Sequence, residues 1–511
     1  MKLRVLGAVV AVAAGFSLTS SGGAVAVGNE ALTADLDAIL ADNALKGADV
    51  GVTVRDANSG EVIYTRQGAK RSQVASNLKL LTTAAAMDLL GPDYRWKTEL
   101  LTSGTRSGAT LNGDVVLRGG GDPTMSRVRY QALADALKAS GVTTVNGSLV
   151  VDDKKFDSNP LGPGWAWEDV PFSYSAETSA LTLSPDAKFS AGTVVVRVKP
   201  GATTGAPVVV TTEPSNDHVQ IVSTATTNGN AGITVQREQG TNRILVSGST
   251  WAEVTALTTV KDPTGLVTSV FQKALQANGI TVTGGVKRQE APAGAAVLAT
   301  DTSMKLSELM VPLLKDSNNM LAEVLVKTAG KSFGNGVNQL STKWAGLGVD
   351  PNVVEVFDGS GLSRYDQFSP DDLTSVLIKA KTKPWFSAWQ ASLPVAGVDG
   401  TLVSRMKNTP AAGNVKAKSG SLTGISGLSG YVKTAAGRDL VFSVVQNNYV
   451  LFNNPKNIED RVAVRLASDG GSSIAPQIQS VPQQRKAPEQ DRAKVPAQER
   501  FDVECSWIGT C

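Results

Sequence analysis

Alternation of hydrophobic and polar positions predicts the first elements of the chain. Apolar residues at helical spacing over residues 31–47 predict a short helix. Residues 50–66 contain two alternating runs on either side of the polar stretch 58–60. Such a pattern is typical of two antiparallel strands joined by a tight turn. We therefore expect a helix followed by a β-hairpin.

A second helix is predicted over residues 76–91, which are rich in strong helix formers and end at Gly91, followed by Pro92. Ser76 begins this stretch, and Lys79 lies one turn later on the same face. Serine is common at the start of a helix, where its side chain caps exposed N–H groups. The local pattern therefore fits Ser76 as a helix cap and as a reactive serine equally well.

From about residue 101 to residue 295 the pattern changes to short alternating strands between glycine-rich turns. This pattern of short alternating runs predicts a β-rich insertion of one or two subdomains with few helices. The glycine cluster at 119–121 suggests a phosphate-binding loop, but it lacks the Gly-Lys-Ser/Thr ending and no helix is predicted after it. We interpret it as a turn.

Helical periodicity returns after residue 303 in two apolar runs separated by a polar break at 316–319. Three strands then follow in "VKAKSGSL", "GLSGYVKT" and "DLVFSVVQN", and a last helix is predicted over 456–467. With the early hairpin, these strands would complete an antiparallel sheet of five strands. The expected fold class is α+β.

Both ends of the chain differ from its body. "MKLR" precedes the apolar run "VLGAVVAVAAGFSL", and small residues ending at Ala26 form an A-x-A cleavage pattern, so residues 1–26 are predicted to be a signal peptide. The run is short for a membrane anchor, which is the alternative. Residues 471–511 are rich in Pro, Gln and balanced charge, which predicts a disordered tail. Whether Cys505 and Cys511 pair in that tail is left open.

Composition excludes several classes of chemistry. A formal net charge of +3 over 511 residues, without a basic stripe, gives no reason to expect a nucleic-acid partner. The only cysteines are the two in the tail, which excludes thiol catalysis and cysteine-based zinc sites in the body of the chain. The single histidine, His218, lies in a polar turn-like stretch and is interpreted as a surface residue. A reactive serine here would therefore need lysine as its base.

Three short signatures stand in order along the chain: Ser76-x-x-Lys79, Ser317-Asn318-Asn319 and Lys418-Ser419-Gly420. Each alone is weak, since Ser404-x-x-Lys407 repeats the first by chance. Together they resemble the active-serine set of penicillin-binding proteins and class A β-lactamases, S-x-x-K, S-D-N and K-T-G. Asn replaces Asp in the second and Ser replaces Thr in the third, and neither change removes a functional group.

The resemblance assigns a role to each residue. Ser76 would be the nucleophile and Lys79 its base, since serine reacts only when a neighbour takes its proton. Ser317 would relay a proton to the leaving amine, and Asn319 would hold a substrate amide. Lys418, Ser419 and Ser421 would bind the free carboxylate of the substrate. The backbone N–H groups of Ser76 and Ser421 would form the oxyanion hole.

Within this group, the sequence most resembles the class C low-molecular-mass penicillin-binding proteins, the D-alanyl-D-alanine carboxypeptidase/endopeptidase family. It is carried by "ASNLKLLTTAAAMDLLG", "LRGGGDPTM", "DSNNMLAEVLVK", "DGSGLSR", "LPVAGVDGTL" and "KAKSGSLTGISGLSGY", spread over residues 50–450. It also implies a pocket for the stem-peptide side chain lined by Asp169, Tyr174 and Arg364, with Leu422 beside it. A charged turn and an aromatic core residue are the alternative for the first two.

The family implies a transpeptidase/β-lactamase-like domain, a five-stranded antiparallel sheet with helices on both faces, interrupted by inserted subdomains. We place this catalytic domain at 27–100 and 296–470 and the insertion at 101–295. The expected enzyme is an exported serine D-Ala-D-Ala carboxypeptidase on the cell-wall side of the membrane. Its partners would be peptidoglycan stem peptides and covalently bound β-lactams, with membrane or cell-wall contact left open and no metal or organic cofactor.

Two other functions are weighed against this one. A class A β-lactamase would need a Glu-x-x-x-Asn pattern to position its deacylating water, and neither Glu323 nor Glu355 is followed by Asn at the fourth place. A stable penicilloyl adduct is therefore expected instead. A non-catalytic wall-binding module would be expected to lack Ser76, Lys79 or Lys418, and all three are present.

Overall fold

The structure is a computed structural model that describes residues 28–229, 232–450 and 454–471. The predicted signal peptide (1–26) and the tail from residue 472 onward, with Cys505 and Cys511, lie outside the described residues. Among the residues described, no helix is both long and apolar enough to cross a membrane.

Helices and strands alternate along the described chain. The helices are α1 (Gly28–Leu40), α2 (Lys79–Leu90), α3 (Arg127–Ala139), α4 (Pro263–Ala277), α5 (Leu306–Lys315), α6 (Asn319–Gly330), α7 (Phe333–Ser341), α8 (Pro370–Ala380), α9 (Phe386–Ala391) and α10 (Pro455–Ser468). The strands are β1 (Asp49–Asp56), β2 (Val62–Arg66), β3 (Lys97–Thr102), β4 (Thr105–Ser107), β5 (Thr110–Asn112), β6 (Val115–Arg118), β7 (Thr144–Asn146), β8 (Leu149–Asp152), β9 (Thr193–Lys199), β10 (Val209–Glu213), β11 (Gln220–Ser223), β12 (Thr226–Thr227), β13 (Gly232–Arg237), β14 (Arg243–Thr250), β15 (Val254–Thr259), β16 (Thr281–Val282), β17 (Val286–Arg288), β18 (Ala296–Thr302), β19 (Lys416–Leu422), β20 (Ile425–Lys433) and β21 (Asp439–Asn447).

The five-stranded antiparallel sheet predicted from the sequence is confirmed, with strand order β19-β20-β21-β1-β2. The turn of the first hairpin is closed by Asp56, whose carboxylate accepts the backbone N–H groups of Asn58 and Ser59 at 2.9 Å each. The C-terminal hairpins bring β1 beside β21, although the two strands are nearly 400 residues apart in the chain. The strand with the Lys418 signature, β19, therefore lies at an edge of the sheet.

Helices cover both faces of this sheet, as predicted. Because side chains alternate along a strand, Phe442 and Val444 of β21 pack with α1 and α10, whereas Val441 and Val445 pack on the side of α2 and α8. The predicted helix at 31–47 is shorter than expected and ends at Leu40. A separate 3₁₀ turn follows, capped by the Asp42 carboxylate.

The inserted region has its own core, in which α3 and α4 pack against small sheets. One of these sheets, β17-β8-β6-β3-β18, includes strands at both predicted boundaries, because β3 pairs with β18. We therefore propose that the insertion begins with β3 and ends with β18. The expectation of no helix after the glycine cluster at 119–121 was wrong: α3 begins six residues later, where the Ser126 hydroxyl accepts from Arg129 N.

Candidate active site

Ser76 lies in a tight 3₁₀ turn, Ala75–Leu78, that leads directly into α2. Its side chain makes no capping hydrogen bond at the start of either helix, so the helix-cap alternative is not what the structure contains. The residue before it, Ala75, has a φ of +47°, a conformation that residues with a Cβ rarely adopt. The turn places Ser76 just before α2. The residue is 9% exposed, and its neighbours in the turn are buried.

Lys79, the first residue of α2, is fully buried, and its amine lies among three oxygen atoms. Nζ lies 2.7 Å from the Ser76 hydroxyl, 2.6 Å from Oδ1 of Asn319 and 2.9 Å from the carbonyl oxygen of Ser360. A lysine nitrogen at hydrogen-bond distance from a serine hydroxyl is the geometry that a general base requires.

The second and third signatures meet across the sheet edge. Ser317 occupies the break between α5 and α6 with a φ of +57°, and its hydroxyl accepts from Lys418 Nζ at 2.8 Å. Lys418 lies on β19, is fully buried, and also donates to the carbonyl of Ser419 at 2.6 Å. The structure thus brings two lysine side chains, from α2 and β19, to the two hydroxyls that the motifs predict.

Asn319 is the first residue of α6, and both ends of its side-chain amide are occupied. Oδ1 accepts from Lys79, and Nδ2 donates to the carbonyl oxygen of Tyr174 at 2.8 Å. These contacts join Lys79 to the segment that contains Tyr174.

Gly420 and Ser421 follow Lys418 and Ser419 on the edge strand. A Cβ at Gly420 would lie 2.6 Å from Nδ2 of Asn77 and 2.7 Å from the carbonyl oxygen of Val74, so glycine allows β19 to approach the Ser76 turn. The Ser419 hydroxyl donates to Thr401 at 2.8 Å. The Ser421 hydroxyl is buried and has no hydrogen-bond partner within the described residues.

The three residues predicted to line a side-chain pocket also come together. The Tyr174 hydroxyl donates to Oδ1 of Asp169 at 2.8 Å, while Oδ2 of Asp169 is buried and has no partner in the described part of the chain. Burial raises the pKa of the Asp169 carboxyl, against the effect of Tyr174 and of the nearby Arg364 charge. Arg364 also donates to the Thr423 carbonyl at 3.4 Å, one residue beyond the half-buried Leu422 at the end of β19.

The sequence analysis considered Glu323 only as a deacylating glutamate and missed its structural role next to the site. Glu323, one turn after Asn319 on α6, accepts the backbone N–H groups of Gly359 and Ser360 at 2.8 and 3.0 Å. It thereby holds the loop whose Ser360 carbonyl contacts Lys79. Burial and the neighbouring Asp358 raise the pKa of Glu323 to about 8. The available signal was an acidic residue four places after Asn319 in a helix that is otherwise apolar at that point.

Three residues that the sequence analysis set aside lie away from these contacts. Ser404 and Lys407, the second S-x-x-K pair, are both exposed. His218 belongs to the inserted region, where its ring nitrogen lies 2.8 Å from the Lys261 carbonyl oxygen and 2.9 Å from Asn242.

Comparisons with known proteins show which family the chain matches. The model of the D-Ala-D-Ala carboxypeptidase 3 (S13) family matches residues 32–469. A D-alanyl-D-alanine carboxypeptidase from Actinomadura sp. (strain R39) is 40% identical over 502 residues, which cover 94% of this chain and 90% of that protein. The crystal structure of penicillin binding protein 4 (DacB) from Haemophilus influenzae is similar with a TM-score of 0.73 at 25% identity, covering 81% of this chain and 93% of the other.

Proposed function

Because this chain belongs to the D-Ala-D-Ala carboxypeptidase 3 (S13) family, we propose that it cleaves the terminal D-alanine from peptidoglycan stem peptides through an acyl-enzyme on Ser76. Family membership confirms the resemblance predicted from the motifs and identifies the chain as a serine-type D-Ala-D-Ala carboxypeptidase. The observation that carries the acyl-enzyme proposal is the buried contact of 2.7 Å between Lys79 Nζ and the Ser76 hydroxyl.

In the first step, the Ser76 oxygen attacks the carbonyl carbon of the penultimate D-alanine while Lys79 takes the hydroxyl proton. The backbone N–H groups of Ser76 and Ser421 stabilise the oxyanion, where loss of one donor typically costs roughly 3–4 kcal/mol. When the intermediate collapses, the C–N bond breaks and the leaving amine of D-alanine receives a proton through Ser317. Water then hydrolyses the ester and regenerates Ser76.

The carboxylate of the leaving D-alanine would bind along the edge strand β19. Lys418 supplies positive charge there, and Ser421 supplies a buried hydroxyl that lacks a partner within the described residues. A buried polar group without a partner is costly unless a ligand satisfies it. The same groups would receive the carboxylate of a β-lactam, and the related Haemophilus structure is named as a penicillin binding protein.

We expect the β-lactam adduct to be long-lived. Glu323 is a buried glutamate that holds the loop at 359–361, and the Ser360 carbonyl of this loop contacts Lys79. Both oxygens of Glu323 accept backbone N–H groups of that loop. A carboxyl group whose two oxygens both accept backbone N–H groups is poorly placed to activate a deacylating water. This supports a penicillin-sensitive peptidase over the β-lactamase alternative.

The side-chain pocket suits a stem residue that ends in an ammonium group. The free oxygen of Asp169 is a buried acceptor, and Arg364 lies near enough to influence the same carboxyl. An ammonium donor would complete the hydrogen bonding of this oxygen and favour its charged form. The enzyme would then prefer diamino acids at that position of the stem.

Two further parts of the proposal concern context. The substrate lies outside the cytoplasmic membrane, which agrees with export directed by the predicted signal peptide at 1–26. Cross-links in peptidoglycan join D-alanine to an amine of another stem, so the same acyl transfer would give endopeptidase activity. Sequencing the mature N-terminus tests export, and digestion of purified cross-linked dimers tests endopeptidase action.

The central experiment compares the wild-type protein with Ser76→Ala and Ser404→Ala. Each is incubated with a fluorescent penicillin and assayed for D-alanine release from a D-Ala-D-Ala peptide. We expect stable labelling and release in the wild type and in Ser404→Ala, which alters the exposed S-x-x-K copy, and loss of both in Ser76→Ala. Rapid penicillin turnover without an adduct would favour a β-lactamase, and labelling that survives in Ser76→Ala would overturn the assignment of the nucleophile.

A further inference from the structure

The residues that line the side-chain pocket belong to a segment with little regular structure. We call residues 167–175 the pocket-wall segment; it contains two short 3₁₀ turns, Trp167–Asp169 and Ser173–Ser175. Its Asp169 and Tyr174 are nonetheless buried. Because most of this segment lies outside regular helices and strands, some of its backbone carbonyl groups need side-chain donors, since unpaired buried groups are costly. The identity of those donors shows what holds the pocket in shape.

One end of the segment is held by the catalytic domain. The Tyr174 carbonyl accepts from Asn319 at 2.8 Å. The preceding residues are held by side chains from the inserted sheets: Arg237 Nη2 donates to the Val170 carbonyl at 3.2 Å, and the Thr259 hydroxyl lies 3.1 Å from the Pro171 carbonyl. Gln239, just after β13, donates to the Trp167 carbonyl at 3.1 Å.

Arg237 is the centre of this arrangement. It is 2% exposed, and its other nitrogens donate to the Thr259 hydroxyl at 2.9 Å and to the Thr241 carbonyl at 2.9 Å. Its hydrogen-bond acceptors are thus neutral oxygens, and burial lowers its pKa, opposed only by the nearby Glu177 charge. No carboxylate among the described residues forms an ion pair with Arg237, and a buried guanidinium in that situation is costly to keep for packing alone. Its contacts instead join the pocket-wall segment to the turn at Thr241 and to the end of strand β15.

We propose that the inserted β-sheets brace the pocket-wall segment through Arg237, Thr259 and Gln239, and that the insertion thereby sets selectivity for the stem side chain. These three are positioning residues, which act through Asp169 and Tyr174. This inference rests on the side-chain pocket put forward in the proposed function. Acyl transfer itself depends on Ser76 and Lys79, which lie in the other domain.

The test measures selectivity and acylation separately. One probe pair is N-acetyl-L-Lys-D-Ala-D-Ala and the same peptide with an acetylated lysine side chain, which differ only in the ammonium group. The second probe is benzylpenicillin, which has no stem side chain. Selectivity is the kcat/KM for the lysine peptide divided by that for the acetyl-lysine peptide. In Thr259→Val and Arg237→Met we expect this ratio to fall about 10-fold or more, the size expected when the hydrogen bond between the substrate ammonium and Asp169 is lost. Acylation by benzylpenicillin should change by less than about 2-fold.

Thr258→Val is the matched control. It makes the same isosteric change on β15 one residue earlier, where the side chain points to the other face of the strand. We expect it to keep wild-type selectivity. If Arg237→Met fails to fold, Thr259→Val still tests the proposal, because it removes one hydroxyl with almost no change of volume.

Asp169→Asn separates failure of the pocket from failure of the brace. If Asp169→Asn keeps wild-type selectivity, the pocket assignment is wrong and the inference falls with it. If Asp169→Asn loses selectivity while Thr259→Val and Arg237→Met keep it, the pocket stands and the brace is refuted. If benzylpenicillin acylation in Thr259→Val and Arg237→Met falls as much as selectivity does, the proposed brace is also refuted, because the insertion would then support the catalytic centre as a whole.

Discussion

Replacement of Glu323 by glutamine tests whether the loop at 359–361 must be held in place for Lys79 to act. Oε2 of Glu323 accepts from Gly359 N at 2.8 Å, and Oε1 accepts from Ser360 N at 3.0 Å. The Ser360 carbonyl in turn accepts from Lys79 Nζ at 2.9 Å. Glutamine has the same shape but only one accepting oxygen, so one of the two buried N–H groups must face an NH₂ group.

The size of the effect follows from these contacts. A buried donor left without a partner destabilises a protein by about 1–3 kcal/mol, which corresponds to a fall in melting temperature of roughly 2–12 °C for a domain of this size. A positioned general base contributes about 10²–10⁴-fold to a rate. Because Glu323→Gln displaces a partner of Lys79 but keeps the lysine, we expect part of that factor to be lost, about 10–100-fold in the acylation rate.

The assay follows the rate of labelling by a fluorescent penicillin, together with thermal unfolding. Glu459→Gln is the matched control, because Glu459 is a fully buried glutamate on α10, on the opposite face of the sheet. Its carboxylate accepts from Ser426 at 2.6 Å and from Arg405 at 2.8 Å. Glu459→Gln should lower the melting temperature and leave the acylation rate at the wild-type value.

Two results would refute the reasoning. One is a Glu323→Gln protein that melts at a lower temperature but is acylated within about 2-fold of the wild-type rate. The position of the Ser360 carbonyl would then be irrelevant to Lys79. The other is an equal loss of acylation in Glu459→Gln, which would show that the rate reports global stability.

Three further predictions follow from the site. Ser421→Ala should lower kcat/KM about 10-fold for a D-Ala-D-Ala peptide but not for its C-terminal amide, and equal losses would exclude Ser421 as a carboxylate ligand. Lys418→Met should reduce penicillin labelling by about 10²-fold or more while the protein stays folded by circular dichroism, since Ser317 loses the donor at 2.8 Å. Because the pKa of Glu323 is raised to about 8, the folded protein keeps a proton that the unfolded chain releases above an ordinary glutamate pKa of about 4.3. The stability of wild type relative to Glu323→Gln should therefore fall as pH rises from 5 to 8 in thermal melts, and a constant difference would contradict the raised pKa.

Much of the fold could be predicted from local sequence, because strands and helices differ in the period of their apolar residues and turns require particular residue types. The hairpin at 50–66 and the three C-terminal strands follow from alternation. The break at 316–319 follows from four polar residues between two apolar helical runs. The insertion was visible as a change to short alternating strands, but α3 was missed, because its sequence, "RVRYQALADALKA", is half polar and its apolar residues find their partners in α4 and the neighbouring sheets, which are remote in sequence.

The sequence by itself identified Ser76, Lys79, Ser317, Asn319 and Lys418 as candidates, because their three short motifs together resemble the active-serine set of penicillin-binding proteins. Tertiary structure alone decided which of them touch: Lys79 reaches Asn319 across 240 residues, and Lys418 reaches Ser317 across 101. The fold also adds groups that belong to no motif: the Ser360 carbonyl, which contacts Lys79, Glu323, which holds the loop of Ser360, and Arg237, which contacts the pocket-wall segment. The physical reason is that a local pattern specifies the conformation of a segment, whereas contacts between remote segments depend on how the buried faces pack together.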